Sequence, residues 1–368
     1  MLRFLTAGES HGPALTGILE GMPSGLSIDP EYVNRDLRRR QGGYGRSGRQ
    51  VIEKDQVEFL SGIEDGITTG APMAMRIRNR DFDNQEKREK PVLTVPRPGH
   101  ADLAGAAKYR LSDLRTVLER ASARETAMRV AVGAVARKLL QEFGIIVAGR
   151  VLEIGGVIAL LADLADPEVR DYVEDSPVRV ADSASARLLI DRIDSARKNR
   201  DTVGGVFEIQ VLGVPVGLGS YVQWDRKLDG RLAQAMMSIQ AIKGVEIGDG
   251  FANARAPGTA AHDAIVPDGP GTSRPTNRAG GLEGGVTNGQ PLVVRGAMKP
   301  ISTTLTPMPS VDLGTGEAAP AIYQRSDICA VPAATVVGEA VVAFVVADAF
   351  LEKFGGDSIS EIRERFPE

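Results

Sequence analysis

Two of the chain's three histidines lie in glycine-bearing loops, His11 in "GESHG" (8–12) and His100 in "PRPGHAD" (96–102). Imidazole changes charge near neutral pH, so a loop histidine that a ligand can approach closely is a candidate general acid or base. His100 also follows Arg97, whose charge disfavours imidazolium unless an anion intervenes. His262, in "AAHDA", has no such surroundings. Fixed positive charge gathers around the same loops: Arg38, Arg39, Arg40, Arg46 and Arg49 surround "QGGYG", and Arg120, Arg124 and Arg129 punctuate "ERASARETAMR" (119–129). Guanidinium groups grip phosphate and carboxylate bidentately, and neighbouring glycines let backbone N–H groups approach, which reads as an anion clamp. The competing reading is a helix end whose cations complement the dipole. A solubilising helix end, however, needs no Gly-Gly-x-Gly between its arginines. Ser122 and Glu125 spell the capping box S-x-x-E, and a helix N-terminus is itself an anion site.

Other chemistries lack their signatures. The sequence has no G-x-x-x-x-G-K-[ST], no G-x-G-x-x-G, no His-x-x-x-His and no Ser-His-Asp spacing. Cys329 is the only cysteine, which excludes an intrachain disulfide, argues against structural zinc and fits a reducing compartment. A net charge of -4 with 25% charged residues gives no global attraction to nucleic acid or an anionic membrane, so anion binding must come from local clusters. Aromatics at 5% leave no stacking platform for nucleic-acid bases. The first residues lack a basic segment followed by a long apolar run, and no stretch reads as the ~20 apolar residues a bilayer span needs, so the expectation is a cytoplasmic protein with neither membrane nor nucleic-acid partner. Residue chemistry alone points to an enzyme handling a small polyanion.

Positioning these groups falls to alternating strands and helices. Short β-type runs bounded by glycine recur at 2–8, 16–25, 57–63, 206–219 and 291–299. Helical periods follow from "DPEYVNRDLRRRQGG", with Asp29 as cap, Pro30 at the first position and Gly42 as stop, and from "LSDLRTVLERAS" and "RETAMRVAVGAVARKLLQEFG". "RLAQAMMSIQAI" spaces Leu232, Ala235, Met236 and Ile239 on one face, and "TVVGEAVVAFVVADAFLEKFGG" is apolar nearly all round, as a buried helix must be. The interleaving argues an α+β class with sheets covered by helices. Glycine-rich loops are expected at 38–49, 244–258, 268–289 and 299–304, the third being too long and aperiodic for a mere connection. Residues 155–200, charged and rich in Ala and Asp, read as a peripheral insertion in a chain with no linker dividing 1–368.

Taken together, "GESHG", "RRRQGGYGR" (38–46), "PRPGHAD", "ERASARETAMR", "GVEIGDGF" (244–251), "NRAGGLEGGVTNG" (277–289), "MKPIST" (298–303) and "RSDICAVPAATVVGEA" (325–340) resemble the chorismate synthase family, in family order along essentially the whole chain. The resemblance implies one large β-α-β sandwich domain with Gly-rich active-site loops, assembled as a homotetramer. It implies an anti 1,4-elimination of phosphate from 5-enolpyruvylshikimate 3-phosphate, giving chorismate, with reduced FMN required but no net redox change. By motif position, His11 is placed to protonate the departing phosphate and His100 to act near the reduced flavin. Asp327 is placed to assist removal of the C6 proton, and Ser10 and Ser122 share their hydrogen-bonding network. Arg40, Arg46, Arg49, Arg97, Arg124 and Arg129 match substrate arginines. The cofactor set carries over to Arg120, Ala121, Ser122, Gln240, Ala241, Gly284, Lys299, Pro300, Ile301, Ser302, Thr303 and Arg325, with the 268–289 loop as flavin cover. Ala121 stands where the family often has Ser, and Gln240 where relatives often carry Asn. No long insertion suggests an intrinsic flavin reductase, so NADPH enters only indirectly, through a separate one. Two other readings stay open on the sequence: a flavin- or nucleotide-binding module without turnover, and an FMN-dependent oxidoreductase with net hydride transfer.

Overall fold

A computed structural model describes residues 1–47, 54–80, 82, 91–321 and 326–366. Near the N-terminus, strands β1 (Arg3–Ala7), β2 (Ala14–Glu20), β3 (Val57–Phe59) and β4 (Met73–Arg78) form an antiparallel sheet in the order β1-β2-β4-β3. Alternation is clean on β4, where Met73, Met75 and Ile77 face inward and Arg76 and Arg78 outward, as a sheet with one buried face requires. Helix α1 (Pro30–Gln41) starts and stops as its sequence predicts: the Asp29 carboxylate accepts from the Glu31 N–H at 2.8 Å, and Gly42 ends it.

Three helices follow: α2 (Asp102–Tyr109), α3 (Arg115–Ala121) and α4 (Thr126–Gln141). A second antiparallel sheet uses β5 (Ile146–Ile154), β6 (Val157–Ile158), β7 (Gly205–Leu212), β8 (Ile242–Ile247) and β9 (Leu292–Met298), in the order β8-β9-β7-β5-β6. Strand β8 covers the start of the segment expected to be a loop over 244–258; pairing with β9 overrides its glycines. Residues 155–200 contain α5 (Pro167–Asp175) and α6 (Ser183–Lys198), and α6 is not purely peripheral, because Leu189, Ile193 and Ala196 enter the main core. Helix α7 (Leu228–Met237) buries Leu232 and Met236, and α8 (Val331–Phe354) spans 24 residues.

Small residues set how these layers meet. A Cβ on Gly17 of β2 would lie 2.7 Å from the Met128 side chain of α4. On the other side of α4, Gly133 leaves no room for a Cβ against Ala340 of α8. Gly338 of α8 in turn lies against Phe207 of β7, where a Cβ would come within 2.8 Å. Tightly packed interiors tolerate no such added methyl without shifts. Helices α4 and α8 therefore lie close together, with the first sheet against one and the second against the other. Contrary to the expectation for this chain, α8 is long and apolar enough to span a bilayer by composition, but 89% of its most apolar window is buried inside the protein. Its all-round apolarity fills the core.

Candidate active site

The two histidine loops meet the arginine segments in a cavity of about 820 Å³, in the upper part of the range for ligand sites. Ser10, His11, Arg40, Arg46, Arg97, His100, Ala121, Ser122, Arg124, Gln240, Ala241, Lys299, Ile301, Ser302, Thr303 and Asp327 all line it. Arg120, Arg129, Gly284 and Pro300 do not, and Arg49 and Arg325 fall outside the described residues. No residue of 268–289 lines the cavity, and Gly284 sits in the tight turn between Leu282–Glu283 and Val286–Thr287. Arg120 points away and donates to the carbonyls of Thr6 and Gly8. Arg129 pairs with Glu125 at 2.9 Å and donates to Ser238.

Each histidine is anchored the same way. Gly8 (φ +107°) opens the first loop with a turn in which a Cβ would strike the Ala14 carbonyl, and Asn79 holds the loop by donating to the carbonyls of Glu9 and Gly12 at 3.1 and 2.7 Å. The ring of His11 then sets Nδ1 against the Glu119 carboxylate, 2.8 Å from Oε1, while its backbone N–H donates to Oε2 at 2.7 Å. Gly99 (φ +77°) turns the second loop, and His100 Nδ1 lies 2.5 Å from Asp102 Oδ1. Arg97 binds the same carboxylate through Nε at 2.8 Å and Nη2 at 3.1 Å. Burial pushes the Asp102 carboxyl up, yet the hydrogen bonds from His100 and Arg97 hold it well below the usual range. Asp102 is thus ionised; His100 Nδ1 lies against its Oδ1 and 3.0 Å from Arg97 Nη2, and Nε2 is the remaining ring nitrogen. Of these partners Asp102 is two residues from its histidine, whereas Glu119 and Asn79 gave no sequence signal.

Ser122 accepts from the Arg124 N–H at 3.3 Å and donates to Ser10 Oγ at 3.2 Å, so it caps the helix start one residue short of the Glu125 N–H that the predicted capping box requires. The reciprocal bond does not form either, because the Glu125 carboxylate binds Thr6 and Arg129. A 3₁₀ turn, Ala123–Glu125, therefore precedes α4.

The cations are held by fewer anions than they number. Arg124 straddles Asp55, with Nη1 2.7 Å from both carboxylate oxygens, and Arg40 reaches the same Asp55 at 3.6 Å. Arg46 pairs with Asp327 at 2.5 Å, whose other oxygen accepts from the Ser47 N–H. Burial pushes the Arg40 guanidinium down to about 9; Asp55 opposes this, while Arg124 and Arg46 add to it. Arg115 also lines the cavity. Its Nη2 donates to the Pro91 carbonyl, and its buried Nε has no partner among the described residues. Lys299 has no carboxylate partner among the described residues, and burial followed by Lys243 lowers its pKa. Among the described residues, six cations of the cavity thus meet four carboxylates, two of which hold histidines. Beside Lys299, Gln240 Oε1 is buried without a partner among the described residues, and Ala241 adopts φ +68°, a conformation non-glycine residues rarely hold without a local reason.

A family model described as chorismate synthase matches residues 2–351. The chain is 55% identical to the chorismate synthase of Syntrophotalea carbinolica, over 99% of this chain and 96% of the relative. It is 56% identical to that of Desulforamulus reducens (99% and 97%) and 54% identical to that of Geobacter metallireducens (100% and 98%). A crystal structure of chorismate synthase superposes with TM-score 0.82 at 48% identity, covering 99% of this chain and 96% of the other. The chain therefore belongs to the chorismate synthase family, whose reaction eliminates phosphate from 5-enolpyruvylshikimate 3-phosphate to give chorismate.

Proposed function

We propose that this cavity carries out the family's anti 1,4-elimination with the residues named above, on reduced FMN, within a single-domain β-α-β sandwich that assembles as a cytoplasmic homotetramer. The observation that carries the reading is the pairing of two carboxylate-anchored histidines with an excess of buried cations in one cavity. A substrate with one phosphate and two carboxylates supplies the missing negative charge. Arg40, Arg46, Arg97 and Arg124 bind these groups, and Arg115 joins them. Taking such charges out of water is expensive unless each meets a cation, which is why several guanidiniums are needed in one pocket.

His11 delivers a proton from Nε2 to the departing phosphate, and Ser10 with Ser122 keeps the loop in place. Asp327 assists removal of the C6 proton and is held for that role by Arg46 and the Ser47 N–H. For the cofactor, the wall of Ala121, Ser122, Gln240, Ala241, Lys299, Ile301, Ser302 and Thr303 offers an acceptor buried without a partner and a cation without a carboxylate among the described residues. Those features fit a flavin mononucleotide, which brings ring N–H donors and a phosphate. When bound, the reduced flavin supplies electron density transiently, and NADPH contributes only through a separate reductase. His100 holds its proton on the cofactor side.

His11→Ala and His100→Ala each lower turnover by ~10²–10⁴, the usual range for removing a general acid, while FMN and substrate still bind. Full activity in both variants would refute the assignment and favour a binding module without turnover.

A further inference from the structure

We infer that Glu119 is a positioning residue for the elimination: it sets the ring orientation and the tautomer of His11. This rests on the reading of His11 as the acid that protonates the leaving phosphate. Three contacts carry the inference. His11 Nδ1 lies 2.8 and 3.0 Å from the two Glu119 oxygens, the His11 N–H donates to Oε2 at 2.7 Å, and the Ser10 N–H donates to the Glu119 carbonyl at 3.1 Å. Ring, backbone and loop are therefore all referred to one residue on α3, which is 108 positions away in the chain. The Glu119 side chain is only 12% exposed, so water screens the pair weakly.

The chemistry follows from where the proton sits. A carboxylate that accepts from Nδ1 leaves Nε2 as the ring atom that can face a substrate, and the ring that acts as acid carries a proton on each nitrogen and gives up the one on Nε2. Reprotonation from solvent restores that ring after each turnover. His100 is built alike, with Asp102 in the place of Glu119. In His100 a guanidinium shares the carboxylate.

Glu119→Gln tests this, because the amide oxygen still accepts from the His11 N–H and keeps the loop in place. The kcat and KM at saturating reduced FMN are the readout. The expected result is about tenfold lower kcat with KM near the parent's, because the ring is no longer held with Nε2 toward the substrate while the binding arginines are untouched. A Glu119→Gln enzyme whose kcat matches the parent's, while His11→Gln is inactive, overturns the role of Glu119 and leaves that of His11 standing. An active His11→Gln enzyme overturns both. Nitrogen-15 NMR of histidine-labelled parent protein gives a check independent of folding of the variant: neutral His11 is expected with its proton on Nδ1, and a proton on Nε2 contradicts the inference.

Discussion

Two groups of buried arginines, one on each side of α1, use the same side chain to opposite ends. On the core side, Arg39, Arg137 and Arg179 meet Asp36, Glu174 and Glu339, with Glu339 2.7, 3.1 and 3.0 Å from the three guanidiniums. Three buried guanidiniums are matched there by three carboxylates, with the half-exposed Arg35 a further partner of Asp36 at 3.6 Å, and Arg39 is raised well above its usual pKa because Glu339 and Asp36 outweigh burial. On the cavity side, Arg40 is lowered, and the Arg115 guanidinium, which donates to the Pro91 carbonyl, has no carboxylate partner among the described residues. A cluster that is neutral by itself is part of the scaffold. A cluster that is cationic by itself is complete only with an anionic ligand.

Breaking the neutral cluster produces the largest effect. Glu339→Ala strands buried guanidiniums and is expected to cost about 3–5 kcal/mol of stability, read as a lower Tm. An unchanged Tm would mean that the cluster is not the scaffold element described above. Arg115→Ala gives the converse result: substrate or FMN affinity falls about tenfold, the worth of one charge-assisted hydrogen bond of about 1.5 kcal/mol, and Tm stays near the parent's. A drop in Tm without loss of affinity would move Arg115 to the scaffold group.

Smallest is a pH effect in the neutral cluster. Burial raises the Glu174 carboxyl, but the hydrogen bond from Arg39 and the charge of Arg179 bring it down to about 2. A carboxyl depressed on folding stabilises the protein above its unfolded pKa, and that contribution is lost as pH falls through the folded value. Acid unfolding curves should therefore steepen between about pH 4.5 and 2, and Glu174→Gln should flatten that window. Parallel curves for the two proteins would remove Glu174 from the ledger of acid stability.

The run Arg38-Arg39-Arg40 shows what the sequence could and could not disclose. It was legible as a helix end beside a glycine turn and as an anion clamp, and Arg40 does reach the cavity. Successive helical residues fan out by about 100°, so three neighbours cannot share one task. Arg38 goes to Glu31 at the surface and Arg39 to Glu339 in the core. The caps of α1 and the burial of α8 follow from local rules and were readable. The partner of His11 lies 108 residues away, and nothing local announces it. Strand β5 escaped for a related reason: buried on both faces over most of its length, it shows no alternation. The membrane-like length of α8 was underestimated because Gly338 and Glu339 interrupt its apolar run, although both pack inside.

Anaerobic turnover of 5-enolpyruvylshikimate 3-phosphate, followed by phosphate release with and without reduced FMN, tests the central claim most directly. The cavity described here predicts many phosphates released per flavin and none without it. One phosphate per flavin oxidised, or release independent of flavin, would contradict the assignment.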